Sequence, residues 1–476
     1  MNSLQSYLDS IKNKRVAVVG AGISNTPLIE ILLGAGIDIT VRDKRSVDEL
    51  GETARNFENN GASFRSGDSY LDDLMEDIIF RTPGLMPTNH AINEAVERGA
   101  ILTSEMELFF DLCPCKIIAV TGSDGKTTTT SIIADILKND GKTVFIGGNI
   151  GYPLLSQVEN MRPDDFAVIE LSSFQLITMH KSPDIAVVTN LSPNHLDVHN
   201  DMDEYVKAKS NIFMHQDQSN RVVLNFDNEI TFEYAKNTHA ADVLFFSRSS
   251  EVKNGVYVKN GMIYTAEDGY KTEFMKAENI VLPGSHNLEN YLAAIAAVSG
   301  MVKFDAILKT ARCFKGVEHR LEFVRELHGV SYYNDSIASS PSRAIAGLKA
   351  FTDDGDEGSK KNKRDVVLIA GGKDKGISFE QFGDEVARRV KTLVLTGLTA
   401  DMIREAVVNS PVYKSSESAE KVQILQGNDF EEAVHMASNA AEEGDIVLLS
   451  PACTSFDRFK NFEERGNVFK DIVKRL

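Results

Sequence analysis

An apolar run, Lys116-Ile-Ile-Ala-Val120, passes into Thr121-Gly122-Ser123-Asp124-Gly125-Lys126-Thr127-Thr128 and then into a helical pattern from Thr128 to Leu137. A strand, a glycine turn, Lys-Thr and a helix in that order form a phosphate cradle on a parallel α/β sheet. The glycines let backbone N–H groups approach phosphate oxygens, and the helix N-terminus adds partial positive charge. Lys126 would reach the outer phosphates, and the Thr127 hydroxyl suits Mg²⁺. Val120 stands where the full P-loop spacing has glycine, so this is a shortened variant. The competing reading is a Gly-Ser turn ahead of an ordinary helix.

The flanking sequence extends the α/β pattern. Arg15-Val-Ala-Val-Val19 reads as a strand, Gly20-Ala-Gly22 as a turn, Pro27 to Leu33 as a helix, and Asp38-Ile-Thr-Val41 and Ile78-Ile-Phe80 as further strands. Phe166-Ala-Val-Ile169 and Ile185-Ala-Val-Val188 are buried strands of the central region, Asp203 to Met214 is helical, and residues 221–283 read as short strands with turns at Lys253-Asn-Gly255 and Lys259-Asn-Gly261. Asn287 to Val298 is an Ala-rich helix. Val330-Ser-Tyr-Tyr333, Val366-Val-Leu-Ile-Ala370, Thr392-Leu-Val-Leu395 and Ile446-Val-Leu-Leu449 are strands of a third α/β region, and Asp353 to Arg364 reads as a solvated loop. The expected fold is α/β in three domains: residues 1–113 Rossmann-like, 114–316 a P-loop ATPase-like, mostly parallel sheet with a small β extension, and 317–476 a second Rossmann-like unit. A length of 476 residues agrees, at roughly 150 residues per domain.

The formal charge of −18 argues against a nucleic-acid backbone as partner and leaves the basic groups to local anion sites. Cys113, Cys115, Cys313 and Cys453 lack zinc-knuckle spacing and read as free, mostly buried thiols. The N-terminus has no apolar signal core, and no apolar run nears the ~20 residues of a membrane span. A cytoplasmic protein with no membrane insertion, acting as a monomer, is expected.

Several polar clusters follow strands, where open α/β sheets bind ligands. Gly20-Ala-Gly22-Ile23-Ser24-Asn25, with Asp43 after the next strand, is most of a dinucleotide fingerprint, but Asn25 replaces the third glycine. NAD(P), another nucleotide diphosphate and a plain βα turn all remain open there. Glu170, in Glu170-Leu-Ser-Ser-Phe-Gln-Leu176, has the place of a second Mg²⁺-holding group. His195 follows the next strand, and beside Glu170 and Thr127 it offers a second metal position. Lys207 and Lys209 lie on the following helix and read as surface lysines. Asn287 and Asn290 could meet a purine or cap their helix. Arg320 could reach an ATP phosphate, and Asn334-Asp335-Ser336 and Ser450-Pro-Ala-Cys-Thr-Ser455-Phe456 suit small-ligand capture.

Together these segments resemble the Mur ligase family, over essentially the whole chain. The marks are Thr121 to Thr127, Gly148-Asn-Ile-Gly151, Glu170 to Leu176, His195-x-Asp197, Gly284-Ser-His-Asn-Leu-Glu-Asn290, Glu318-His-Arg320, Asn334-Asp-Ser336, Ser450 to Ser455 and Phe459-Lys-Asn-Phe-Glu-Glu-Arg-Gly466. The resemblance is strongest to the D-glutamate-adding branch. It implies an ATP-dependent amide ligase of peptidoglycan synthesis that joins D-glutamate to UDP-N-acetylmuramoyl-L-alanine through an acyl phosphate, giving ADP and phosphate. It implies catalytic Lys126, Glu170, His195 and Lys209. Two Mg²⁺ would be held by Thr127, Glu170, His195 and Lys209, the lysine being carbamylated by CO₂. ATP would lie on Gly122, Ser123, Asp124, Gly125, Lys126, Thr127, Thr128, Asn287, Asn290, Arg320 and Asp335. The fingerprint turn would bind uridine diphosphate and not NAD, with Gly22, Ile23, Ser24, Asn25, Asp43, Lys44, Arg45, Thr82, Pro83, Gly84, Asn149 and Ser172 along the UDP-sugar substrate. Ser339, Lys375, Ser455, Phe456 and Phe462 would surround D-glutamate. Ile337 stands where that branch has lysine, and Lys373 with Lys375 could supply the charge. A different ligase of the family, a folate-type glutamate ligase, a nucleotide-dependent oxidoreductase and a non-catalytic nucleotide switch are the alternatives.

Overall fold

The computed structural model describes residues 3–22, 24–192, 201–240, 242–352, 365–374, 376–415 and 421–476. The loop expected from Asp353 to Arg364 therefore lies outside the described residues. One compact unit comprises Met1–Asn279 with Leu288–Arg312, the other Ile280–Asn287 with Cys313–Leu476.

The first unit contains two sheets. The first is built from β1 (Val16–Val19), β2 (Ile39–Asp43), β3 (Ser63–Ser66), β4 (Ile78–Arg81) and β5 (Ile101–Thr103), all parallel, in the order β3-β2-β1-β4-β5. Every residue of β1 and β4 is buried, as continuous apolar runs must be in a parallel sheet covered on both faces. The strand order reverses between β1 and β4, which opens a crevice at their carboxyl ends. Val19 is level with Arg81 in that pair, so the Gly20 turn and the Thr82 turn emerge side by side.

The second sheet takes β6 (Lys116–Thr121), β7 (Val144–Gly148), β8 (Phe166–Glu170), β9 (Ile185–Val188), β10 (Arg221–Asn225), β11 (Asp242–Ser247), β12 (Gly255–Lys259), β13 (Met262–Glu267) and β14 (Tyr270–Lys276). Their order is β14-β13-β12-β11-β10-β9-β6-β8-β7. It is parallel from β7 to β12 and closes with an antiparallel meander, the small β extension. Asn260 (φ 50°) and Gly261 (φ 73°) join β12 to β13 with both residues left-handed, the conformation that two-residue hairpins require. The stretch read as short strands is interrupted by a helix, Glu229–Tyr234, whose start is capped by Asn228. The helix after the glycine turn starts at Lys126 rather than Thr128, because Gly125 (φ 77°) is its N-cap.

The second unit holds β15 (Glu322–Leu327), β16 (Val330–Asn334), β17 (Val366–Ala370), β18 (Val390–Leu395), β19 (Gln423–Gln426) and β20 (Ile446–Leu449), in the order β15-β16-β20-β17-β18-β19. Only β15 runs antiparallel. Its charged, half-buried pattern, Glu-Phe-Val-Arg-Glu-Leu, hides it from a search for apolar runs. The chain is thus α/β with mostly parallel sheets, as its pattern implies. Of the cysteines, Cys115 and Cys453 are buried, Cys113 is half-buried with its Sγ 3.5 Å from that of Cys115, and Cys313 is exposed.

A buried ion pair ties β2 to the segment that leads into β4. Arg42 Nε donates to Glu76 Oε1 at 2.9 Å, and its other nitrogens bond the carbonyls of Tyr70, Asp72 and Asp73. Arg42→Met leaves the Glu76 carboxylate buried and unpaired. The expected loss is about 3–5 kcal/mol in urea unfolding, with a smaller loss for the double variant Arg42→Met, Glu76→Leu.

Candidate functional site

The turn after β6 is shaped by what has no room for a side chain. Gly122 (φ 149°) packs so that a Cβ would strike the Thr189 hydroxyl, and one on Gly125 would strike Asn290. The Thr189 hydroxyl donates to the carbonyl of Asp124 at 2.5 Å, and Asp124 N–H donates to Asn190 Oδ1 at 3.0 Å, so the end of β9 holds the turn open. The Ser123 hydroxyl lies 3.0 Å from that of Tyr205 and donates to the Ser192 carbonyl. Asn290 Oδ1 accepts from the Thr129 hydroxyl at 3.2 Å, which ties the Ala-rich helix to the helix Lys126–Asn139.

Three strand ends converge there. Val120 pairs with Glu170, and Gly148 pairs with Glu170 from the other side. The Thr127 hydroxyl donates to Glu170 Oε2 at 2.6 Å, while Asn149 Nδ2 donates to Glu170 Oε1 at 2.8 Å. Glu170 is buried, and its carboxylate and the Thr127 hydroxyl are two hard oxygens suited to a small divalent cation. Lys126 Nζ folds back onto the carbonyls of Gly122 and Ser123 at 3.0 and 2.9 Å.

Lys209, read from its helix as a surface residue, is 2% exposed. Its Nζ donates to the Thr121 hydroxyl at 3.2 Å and the Gly122 carbonyl at 2.9 Å, and lies over the Tyr205 ring. Burial, reinforced by the neighbouring Lys126 cation, pushes its amine well below the ordinary lysine value.

At the first sheet's crevice, Asn25 is 1% exposed and its amide donates to the carbonyls of Val19 and Gly20 at 3.1 and 2.9 Å. Asp43 accepts from Ala21 N–H and from the backbone and guanidinium of Arg45. Burial works to raise the Asp43 carboxyl, but these hydrogen bonds together outweigh it and hold the group below the usual carboxylate range.

In the second unit, Ser455 is buried, Phe462 half-buried and Phe456 exposed. Asp335 is turned inward: Oδ2 accepts from the Ser450 hydroxyl at 2.8 Å and Oδ1 from Leu321 N–H at 3.3 Å. Burial pushes this carboxyl up to about 7.

Known proteins are similar to this chain in sequence and fold. The Mur ligase middle domain matches residues 120–298, and the glutamate ligase domain of Mur ligases matches residues 319–453. The UDP-N-acetylmuramoylalanine–D-glutamate ligase of Acetivibrio thermocellus is 50% identical over 474 residues, 99% of each chain. The protein of the same name from Ruminiclostridium cellulolyticum is 46% identical over 100% of this chain and 99% of its own. The chain belongs to the Mur ligase family. Among solved structures, the UDP-N-acetylmuramate-alanine ligase of Thermotoga maritima shares the fold, with TM-score 0.55 at 17% identity over 97% of this chain and 99% of that one. So does a MurF ligase from Thermotoga maritima in complex with ADP, with TM-score 0.53 at 18% identity over 97% and 95%.

In this Mur ligase the residues expected from sequence divide by where they fall. Gly122, Ser123, Asp124, Gly125, Lys126, Thr127, Asn149, Glu170, Lys209 and Asn290 come together around one turn. Ile23, His195 and Lys375 lie outside the described residues. Thr189, Asn190 and Tyr205, outside the residues named as ligand or catalytic candidates, carry further parts of the site. Their signal is position, since the first two follow β9 directly and Tyr205 sits one helical turn before Lys209. Asp335 supplies a pH test. Its unfolded carboxyl ionises near 3.8 and the folded one near 7, so its contribution to stability is full below the first value and is lost as pH rises through the second. Urea melts of Asp335→Asn should therefore gain on the parent from about pH 4 to about pH 7, by up to about 4 kcal/mol, and level off above.

Proposed function

We propose that this Mur ligase joins D-glutamate to the alanine carboxylate of UDP-N-acetylmuramoyl-L-alanine, in the cytoplasm, as a step of peptidoglycan synthesis. The observation that carries the reading is full-length identity of 50% to a D-glutamate ligase, together with the phosphate turn that brings Lys126, Thr127, Glu170 and Lys209 together. The reading assigns residues 1–113 to the UDP-substrate, 114–316 to ATP and 317–476 to the amino acid. The alanine carboxylate oxygen takes the γ-phosphoryl group of ATP and releases ADP. The D-glutamate amine, after losing a proton, attacks the acyl phosphate carbon, and phosphate leaves as the amide forms. The turn's N–H groups and Lys126 hold the phosphates, with Thr128, Asn287, Asn290, Arg320 and Asp335 around the nucleotide. Mg²⁺ at Thr127 and Glu170 would neutralise charge developing on the phosphoryl oxygens.

Lys209 is the residue the reading changes most. In its neutral form the buried amine can add CO₂, losing a proton to become a carbamate, and with His195 would supply anionic and imidazole ligands to a second Mg²⁺. Gly22, Ser24, Asn25, Asp43, Lys44, Arg45, Thr82, Pro83 and Gly84 would take the uridine diphosphate, and Ser172 the sugar-alanine end. Ser339, Lys375, Ser455, Phe456 and Phe462 would take D-glutamate, with Ile337 tolerated in place of lysine.

Phosphate release is the direct test. With ATP, Mg²⁺ and the UDP-substrate it should depend on D-glutamate and not on L-glutamate; dependence on another amino acid would move the specificity, and no release would sink the ligase reading. No atom lies near a Cβ built on Gly22, so Gly22→Ala should fold normally while raising KM for the UDP-substrate about tenfold or more, with KM for ATP unchanged. Lys209→Met should remove activity yet raise the Tm of the unliganded protein, because a buried amine that is costly to charge is replaced by an apolar side chain of similar volume.

A further inference from the structure

We propose that Arg81 is a positioning residue that fastens the uridine-diphosphate turn to the segment following Glu170, so that nucleotide binding at one end of the substrate sets the geometry at the other. This rests on the substrate assignment above. Arg81 is the last residue of β4 and immediately precedes Thr82-Pro83-Gly84, yet it is 1% exposed. Its Nη1 donates to the Leu85 carbonyl at 3.2 Å, with the carbonyls of Thr82 and Pro83 at 3.4 Å. Its Nη2 donates to the Phe174 carbonyl at 2.7 Å and to the Thr178 hydroxyl at 2.9 Å, and Nε to that hydroxyl at 3.3 Å. The Thr178 hydroxyl in turn donates to Glu107 Oε2 at 3.3 Å.

One guanidinium thus grips the turn that leaves the first sheet and the short helix Ser173–Leu176, which leaves the second. That helix begins at its cap Ser172, two residues beyond Glu170, and Phe174 is in its first turn. The rigid planar fork fixes both partners at once, which a lysine ammonium on a flexible stem does not. Covering the same contact with an apolar side chain would avoid the cost of burying a cation, so the grip, rather than packing alone, accounts for arginine here. Both gripped segments also face one small cavity, lined by Ser24, Asn25 and Pro83 from the crevice side and by Gly148 and Gln175 from the Glu170 side, with Arg81 between them. On the substrate assignment above, a substrate held by its pyrophosphate at the Gly20 turn would extend toward Glu170. Interactions at its uridine end are then available to orient its reacting carboxylate, the use of remote binding energy that raises kcat rather than affinity alone.

The test separates coupling from folding. Hydrogen exchange is followed at residues 173–178 with and without UDP, in the parent, Arg81→Met and Arg81→Lys, alongside phosphate release. The parent should show slowed exchange at 173–178 on UDP binding. In Arg81→Met, UDP should still bind within about threefold of the parent affinity, the slowing should vanish, and kcat should fall about tenfold or more while KM for ATP and D-glutamate stays within twofold. Arg81→Lys should recover only part of both effects. If Arg81→Met does not fold, Thr178→Val replaces it, with Thr178→Ser as the variant expected to restore both readouts. Slowing that persists without the guanidinium, or no slowing in the parent with UDP bound, overturns the proposal. A parent that shows the slowing but releases no phosphate keeps the Arg81 link and sinks the ligase reading instead.

Discussion

The candidate site depends on one backbone constraint: Gly122 must lie in a conformation and a space that exclude a side chain. With Gly122 at φ 149°, β6 turns directly against the end of β9, and the carbonyls of Gly122 and Ser123 point to where two lysines need acceptors. Thr189 and Asn190 then brace the turn from below. A larger residue would push the turn away from β9 and separate Thr127 from Glu170. The apolar strands beneath serve mainly to bring these ends level, as the pairing of Val120 and Gly148 with Glu170 shows.

Basic side chains near the carboxyl ends of strands recur in both units, and each is anchored on backbone carbonyls. Lys209 bonds the Gly122 carbonyl, and Arg81 bonds those of Phe174 and Leu85. Arg465 donates to the Ser336 hydroxyl and carbonyl and to the Cys453 carbonyl at 3.0, 2.8 and 3.1 Å. Carbonyl oxygens compensate a buried cation without neutralising it. Where the side chain is an arginine, these strand ends therefore keep local positive charge inside a chain of net charge −18.

What could be read from sequence follows from the kind of signal each element leaves. Val366–Ala370, Ile185–Val188 and Ile446–Leu449 appear where their apolar runs place them, because a strand buried on both faces has no other pattern to show. β15 was illegible because an edge strand carrying Glu322, Arg325 and Glu326 looks like surface. Thr127 and Glu170 were legible because each sits next to a strand end in a motif. The burial of Lys209 was not, since a helix carrying Lys207 and Lys209 two residues apart does not reveal which lysine faces the sheet. Arg81 was hidden for a related reason: an arginine before a Pro-Gly turn reads as solvent-facing, and only the tertiary placement of Phe174 and Thr178 supplies its acceptors.

Asn25 shows how one departure from a motif alters what the motif can do. The third glycine of a dinucleotide fingerprint allows the helix to press close to the strand. Here that place is filled by an amide whose two N–H bonds go to the carbonyls of Val19 and Gly20. The turn is thereby braced by a side chain instead of by close backbone contact. Asp43, which in a dinucleotide site would face a ribose, is occupied by Ala21 N–H and by Arg45. A carboxylate already committed to a guanidinium has less acceptor capacity left for a ribose hydroxyl, whereas the Arg45 beside it remains half exposed. The strand-turn-helix frame thus departs from the dinucleotide fingerprint through two side chains that lock onto the turn itself.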